Sequence, residues 1–437
     1  MEKITGKIKI PKEFFEQLAP KIKNVIDFKR VIEKALLENT SFLLQTFLTG
    51  AIILGSSDLH LEAQEKRIKL RARIDGLLHD ILFLDSKIYL GLLSRIKLIS
   101  GIKLNIEDMP QDGRFSILIE DTAEEQKREI EIRASILPAE FGEAVVLRIL
   151  NPKNLINLED LGLRENLERI FNKEIKKPNG MIVVTGPTGS GKTTTLYAFL
   201  KKIKKPEIKI ITIEDPIEYH LEGISQTQVA PKKGYDFASG LRSIVRQDPD
   251  VILVGEIRDL STAEIALQSS LTGHLVLTTL HTNNAAGTIA RLTSLGAKLY
   301  NIAPAINLIV AQRLVRKICK KCAKESLINR EEEKKLKETM SLLPKNIKIS
   351  ETFKGVKIFE SVGCADCNFT GFKGRVGIFE AILIDKEMEK FILKNPSMGE
   401  FEDEARKKGM ILMKEDGFLK VLDGITTIEE VERVVGE

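Results

Sequence analysis

Short apolar runs at 181–185, 208–213, 251–254 and 275–279 alternate with stretches of helical spacing. That order predicts a parallel sheet flanked by helices. Upstream the period changes. Arg67–Ile74 (Arg-Ile-Lys-Leu-Arg-Ala-Arg-Ile) alternates basic and apolar residues as a half-buried strand does, and Asp75-Gly76 is a turn signal. Glu129–Ser135 alternates likewise and Ala144–Leu150 is a further strand candidate, so 41–150 reads as one mixed domain of strands and helices. Asn151-Pro152-Lys153-Asn154 reads as a linker, and 151–437 as a second, α/β domain. Residues 1–40 are charged and helix-prone. A segment from about Arg316 to Lys373 breaks the α/β order with cysteines and a charged helical run, and Ile384–Glu437 reads as helices.

Composition narrows the class. A chain of 437 residues with 43% hydrophobic and 30% charged residues is a soluble globular protein of two or three domains. The longest apolar stretch, Ser41–Gly55, is broken by Gln45, Thr46, Thr49 and Gly50 and is too short to span a bilayer. Met1–Gln17 mixes charged and apolar residues and lacks a signal-peptide core, so a cytoplasmic protein without direct membrane insertion is expected. The net charge of +5 does not demand nucleic acid. The basic clusters at 201–205 and 316–321 read as solvated faces or docking patches, and with no tryptophan and 5% aromatic residues there is little for bases to stack on.

The chemistry begins at 186–194, Gly186-Pro187-Thr188-Gly189-Ser190-Gly191-Lys192-Thr193-Thr194, which follows the strand candidate Met181–Thr185 and opens a helix-forming run. Strand, glycine-rich loop and helix start form the P-loop. Its backbone N–H groups cradle phosphates and the helix aims its positive end at them. Lys192 supplies a point charge and the Thr193 hydroxyl a ligand for Mg²⁺, so the chain is expected to bind ATP with Mg²⁺.

Asp250–Asp259 (Asp-Val-Ile-Leu-Val-Gly-Glu-Ile-Arg-Asp) is an apolar strand ending in a carboxylate. Gly255 stands where the metal-associated Asp usually does, and the acid falls one residue later, which gives Glu256 the general-base role. Glu214, Asp215 and Glu218 follow another strand and are candidates for the Mg²⁺ shell or for positioning water. His274 and His281, two of five histidines, bracket the candidate strand Leu275–Leu280 and are candidates for sensing the γ-phosphate. The four cysteines, Cys319, Cys322, Cys364 and Cys367, form two Cys-x-x-Cys pairs with none left over, the pattern of one structural Zn²⁺ site.

Together these stretches resemble the secretion ATPases of type II secretion and type IV pilus assembly, from about residue 45 to the C-terminus. Gly55-Ser-Ser-Asp-Leu-His-Leu-Glu62, Arg73-Ile-Asp-Gly76, Gln111-Asp-Gly-Arg114 and Arg133-Ala-Ser-Ile-Leu-Pro138 carry the match in the first domain. In the second, Glu214-Asp-Pro-Ile-Glu218 looks like the aspartate box, Leu241–Asp250 leads into the Walker B strand, and Thr272–Thr282 looks like the histidine box. The cysteine pairs, ending in Gly371-Phe-Lys-Gly-Arg-Val-Gly-Ile-Phe-Glu380, are similar to the zinc element of assembly-type members, which retraction ATPases typically lack.

The resemblance implies a homohexameric motor: a PAS-like α+β domain (41–150) followed by a RecA-like ATPase domain (151–437) with a zinc-binding insert at about 316–373 and C-terminal helices at 384–437. The N-terminal docking extension of larger members would be largely missing. Nucleotide would sit between the domains, with Arg114 and Arg133 reaching the phosphates on closure and Arg242 and Arg246 facing a neighbouring subunit or salt-bridging within their own. The partner would be an inner-membrane platform protein, placing the chain peripherally on the inner face of that membrane. Pilus assembly, type II secretion and competence systems share this motor. A RecA-like DNA motor with a zinc nucleic-acid clamp, and a scaffold that binds ATP without hydrolysing it, are the rival readings.

Overall fold

The computed structural model describes residues 6–120, 128–344 and 357–436. Residues 345–356 of the expected insert, 1–5 of the expected N-terminal segment, and 121–127 and 437 lie outside the described residues. The chain divides into two units: Met1–Asn154 with Cys319–Ala323 and Ser361–Lys373, and Leu155–Ile318 with Lys324–Glu360 and Gly374–Glu437.

Residues 1–40, read as helix-prone, open instead on a strand, Gly6–Pro11 (β1). Its Lys-Ile-Lys-Ile alternation buries Ile8 and Ile10 and leaves Lys7 and Lys9 exposed, a strand signal too short to stand out among the neighbouring lysines. Helix Val25–Ala35 follows, capped by the Asn24 side chain. The long apolar stretch is helix Thr40–Ile53, capped by Asn39 and buried on almost every side. At 14 residues it is about 21 Å long, a core element and not a span.

Further strands are Asp58–Ala63 (β2), Ile68–Ile74 (β3), Leu77–Leu84 (β4), Gln111–Glu120 (β5), Arg128–Ala139 (β6) and Gly142–Leu150 (β7). They form a seven-stranded sheet in the order β1-β5-β6-β7-β2-β3-β4, antiparallel except where β1 pairs in parallel with β5. In β3 the alternation works as expected, with Ile68, Leu70, Ala72 and Ile74 buried and the three basic residues between them half-buried on the other face. Helix Ser86–Ser100 carries Lys97, whose Nζ lies 2.7 Å from the equally buried Glu143 on β7 and donates to the Ile106 carbonyl at 2.9 Å.

The second unit is built on Gly180–Thr185 (β8), Ile210–Glu214 (β9), Ser225–Gln228 (β10), Val251–Val254 (β11), Leu275–Leu280 (β12) and Ile306–Ile318 (β13). A small hairpin, Lys324–Leu327 (β14) with Lys357–Glu360 (β15), precedes the last strand, Phe372–Leu383 (β16). The sheet runs β10-β9-β11-β12-β8-β13-β16, and every pair from β10 to β13 is parallel. Such strands must bury both faces, which is why they read as unbroken apolar runs. Met181 and Val183 of β8 enter one core, and Ile182 and Val184 the other.

The expected charged helix of the insert is Arg330–Ser341. The expected C-terminal helices are Lys386–Ile392, Met398–Lys407, Met413–Leu422 and Ile428–Val435. The last is clamped to β13 by Glu430, which accepts 2.6 and 2.9 Å hydrogen bonds from the guanidinium and backbone N–H of Arg316 and two 2.7 Å bonds from Arg433. Burial pushes the Glu430 carboxyl up, but the bonds from Arg433 and Arg316 outweigh it and hold it down at about 2, below the ordinary 4.5.

Two stability outcomes follow. Replacing Lys97 by Met strands the Glu143 carboxylate in the core, and urea unfolding should show a loss of about 3–5 kcal/mol. The depressed Glu430 carboxyl gives stability that is present above its unfolded value near 4.5 and lost as pH falls toward 2. At pH 7 it amounts to about 3 kcal/mol. Glu430→Gln should therefore lower the urea midpoint at pH 7, with the gap to wild type closing as pH drops through 4.

Candidate functional site

Parallel register decides which residues meet. Leu280 pairs with Thr185, Thr278 with Val254, and Val254 with Ile213, so the C-terminal ends of β8, β12, β11 and β9 share one edge of the sheet. The residues that follow them are the P-loop, His281, Gly255-Glu256 and Asp215.

The loop after β8 turns into helix Lys192–Ile203 through glycines at positive φ. Two of them are dictated by close approach as well. A Cβ on Gly186 (φ 144°) would lie 2.5 Å from the Gln312 carbonyl, and one on Gly191 (φ 90°) 2.7 Å from Gln312 Nε2. Gln312, buried on β13, thus forms the floor of the loop and accepts a 2.6 Å hydrogen bond from Thr195. Lys192 Nζ donates to the carbonyls of Gly186 (2.8 Å) and Pro187 (3.1 Å). Burial pulls the Lys192 ammonium below its ordinary range, partly offset by the charge of Glu256. Ser190 Oγ is buried within the loop without a hydrogen-bond partner among the described residues. An orphaned hydroxyl, a lysine and a run of loop N–H groups at a helix start fit a bound polyphosphate. Thr193 stands in the first turn of that helix, where its hydroxyl fits a Mg²⁺ held with the phosphates.

The backbone around Glu256 is fixed from both sides. Gly255 N–H donates to Ile213 O (2.8 Å), Thr279 Oγ1 to Gly255 O (2.7 Å), and Ile257 N–H to Thr279 O (3.1 Å). The Glu256 side chain is 14% exposed. Its Oε2 lies 3.3 Å from His281 Nε2, and its Oε1 is in close contact with the Arg258 guanidinium, which also reaches to 3.9 Å from Asp215. The strand bearing His281 is tied to the P-loop strand, since Thr185 Oγ1 donates to Leu280 O (3.0 Å) and accepts from Thr282 N–H (2.8 Å).

Not every candidate joins this edge. Glu214 is caged: Thr212 (2.6 Å) and Gln226 (3.2 Å) donate to one oxygen and the Tyr197 hydroxyl to the other. Burial raises its carboxyl and those bonds lower it, with a net rise. It anchors the acidic turn, and the nearby charge of Glu218 acts on it. His274 precedes β12 at the opposite edge, where its carbonyl accepts from Gly180 N–H at the start of β8 (3.2 Å) and its Nδ1 lies 3.0 Å from Ser269 O. The six residues of β12 separate it from His281 by about 20 Å. Arg242 donates to Ser261 (3.0 Å) and Arg246 to the Arg242 carbonyl (3.0 Å), and among the described residues neither is ion-paired. Arg114 and Arg133 belong to the first unit, directly opposite each other on β5 and β6 with Glu131 between them.

The four cysteines also belong to the first unit, and their sulfurs all lie within 4.8 Å of one another. Sγ–Sγ distances are 4.0 Å for Cys319–Cys364 and 3.8 Å for both Cys322–Cys367 and Cys364–Cys367. A tetrahedral zinc at about 2.3 Å from each sulfur requires about 3.8 Å between them. Burial tends to raise the Cys367 thiol, but N–H donors from Cys364 and Gly371 bring it to about 7. This donor set fits Zn²⁺. Asn368, one residue on, accepts a 2.7 Å bond from Val25 N–H at the start of helix Val25–Ala35. Among the described residues no helix is long and apolar enough to cross a membrane.

Sequence reasoning missed Arg258, Gln312 and Tyr197. Arg258 carried a signal, being the basic residue two places after Glu256. Gln312 and Tyr197 acquire meaning only through partners more than a hundred or about seventeen positions away.

The family model for type II/IV secretion system proteins matches residues 34–433. The chain is 41% identical over 388 residues to the type IV pilus assembly ATPase PilB of Pseudomonas aeruginosa, covering 89% of this chain and 66% of that one. It is 44% identical over 396 residues to type II secretion system protein E of the same organism, covering 90% and 75%. It therefore spans from about two thirds to three quarters of these relatives' lengths. Among solved structures, the Legionella pneumophila ATPase DotB shares the fold at a TM-score of 0.62 and 22% identity, covering 89% of this chain and 94% of that one. The pilus retraction motor PilT aligns at a TM-score of 0.59 and 25% identity, covering 89% and 95%. The chain belongs to the type II/IV secretion system protein family, whose relatives named here include a type IV pilus assembly ATPase and a type II secretion system protein E.

Proposed function

We propose that this chain is a hexameric ATPase motor that couples ATP hydrolysis to assembly of pilin or pseudopilin subunits. The observation that carries the proposal is the convergence of the P-loop, Glu256, His281 and Asp215 on one sheet edge. Lys192 leaves the loop carbonyls for the phosphates. Glu256, fixed by β9 and β12, takes the proton of the attacking water. His281, against the other Glu256 oxygen, orients that carboxylate. Thr193 would hold Mg²⁺, which would supply charge neutralisation on the phosphates. Asp215 lies in the outer shell, with Glu214 and Glu218 setting the shape of its turn. Arg114 and Arg133 supply further positive charge to the phosphates, Arg242 and Arg246 face a neighbouring subunit, and His274 supports β12 from the far edge.

On this reading the first unit is a PAS-like domain and the second a RecA-like one, acting in the cytoplasm and held to the inner membrane face through a platform protein. The named relatives, PilB and secretion protein E, support that assignment without separating pilus assembly from secretion. Zinc on the four cysteines staples 319–323 to 361–373.

With purified protein, Glu256→Gln should cut kcat for ATP by about 10²-fold or more while leaving KM within a few-fold. Lys192→Ala should abolish saturable binding of a fluorescent ATP analogue. Neither rate should respond to duplex DNA. Strong DNA stimulation would favour the DNA-motor reading, and equal rates in wild type and Glu256→Gln would remove the base assignment.

The purified protein should also carry about one zinc per chain. Chelation or Cys364→Ser should lower the melting temperature by several degrees and change nucleotide affinity less than twofold. Protein that is zinc-free as purified and equally stable would contradict the metal site.

A further inference from the structure

A general base needs an oxygen free to meet its water, and Glu256 has both oxygens engaged. Oε1 is in contact with the Arg258 guanidinium and Oε2 faces His281 Nε2 at 3.3 Å. The two partners differ in what holds them. His281 follows a strand stitched to the P-loop strand through Thr185 and Thr282. Arg258 lies in the short connection between β11 and helix Leu260–Leu271 and is 62% exposed. Its second carboxylate, Asp215 Oδ2, lies 3.9 Å from the same guanidinium. So Arg258 can let go of Glu256 without losing an anionic partner.

We propose that Arg258 is a positioning residue that holds one oxygen of Glu256 and cedes it to the attacking water when ATP loads. The proposal rests on the assignment of Glu256 as the water-activating base. The planar fork of a guanidinium spans two carboxylates in a way an ammonium does not, which gives arginine a specific part here. An ion pair whose arginine is 62% exposed is a weaker restraint than a fully buried one. That weakness suits a latch that incoming phosphates, themselves anionic, can draw open by competing for the guanidinium. Lys192 holds the loop carbonyls at 2.8 and 3.1 Å, so bound phosphate would draw both cations toward itself and leave the base with a free oxygen.

The test is steady-state ATP hydrolysis by the full chain as wild type, Arg258→Gln, Arg258→Lys, Glu256→Gln and the double variant Glu256→Gln/Arg258→Gln, over a range of ATP. Release of this restraint should raise kcat in Arg258→Gln about three- to fivefold, with KM within twofold. Arg258→Lys should fall between it and wild type. The double variant should be as inactive as Glu256→Gln alone, showing that the gain passes through Glu256. A kcat in Arg258→Gln at or below wild type, with Glu256→Gln inactive, overturns the latch and leaves the base in place. Full activity in Glu256→Gln overturns the base assignment and the latch with it. Should the glutamine variant fail to fold, Arg258→Lys carries the test, and a rate no higher than wild type overturns the proposal.

Discussion

Parallel pairing of β8, β12, β11 and β9 is the constraint on which the second unit depends. Parallel strands run in one direction, so whatever follows each of them emerges at the same edge, and the in-step register leaves the P-loop, His281, Glu256 and Asp215 side by side. The same pairing obliges both faces to be apolar, which supplies two cores and leaves polar chemistry to the strand ends. Hydrogen bonds between those ends, such as Thr279 to Gly255 and Thr282 to Thr185, then fix that edge more tightly than the sheet alone would.

Charge at that edge is balanced through few groups. Lys192 and Arg258 face Glu256 and Asp215, while Glu214 is withdrawn into a cage of hydroxyl and amide donors. Of the carboxylates in this turn, Glu214 is caged and Asp215 lies 3.9 Å from the exposed Arg258 guanidinium. The cysteine cluster belongs to the first unit, where its four sulfurs bring two distant segments of chain together.

Features that are local in sequence were legible. The P-loop, the cysteine pairs and the apolar runs of β8, β11 and β12 each declare themselves within ten residues. Elements defined by distant partners did not. β13 carries Asn307, Gln312, Arg313, Arg316 and Lys317 within an otherwise apolar run, and Gln312, Arg313 and Arg316 make sense only beside the P-loop helix and the last helix of the chain. β1 hid in a lysine-rich opening. His274 and His281 looked like a pair because they flank one strand, yet flanking a strand puts two residues at opposite edges of the sheet. Glu214 looked like a metal ligand because it follows a strand, and burial among Tyr197, Thr212 and Gln226 gives it another task. Which unit the cysteines join was equally outside the reach of their spacing.

The central claim is that this sheet edge presents Glu256, and no neighbouring carboxylate, to the reacting phosphate. A crystal structure with a non-hydrolysable ATP analogue and Mg²⁺ tests it most directly. The account predicts the triphosphate on the backbone of 186–191, Mg²⁺ at Thr193, and Glu256 within hydrogen-bond reach of a water beside the γ-phosphate, with Arg258 moved off it. A γ-phosphate water held by Glu214 or Asp215, with Glu256 still paired to Arg258, would contradict it.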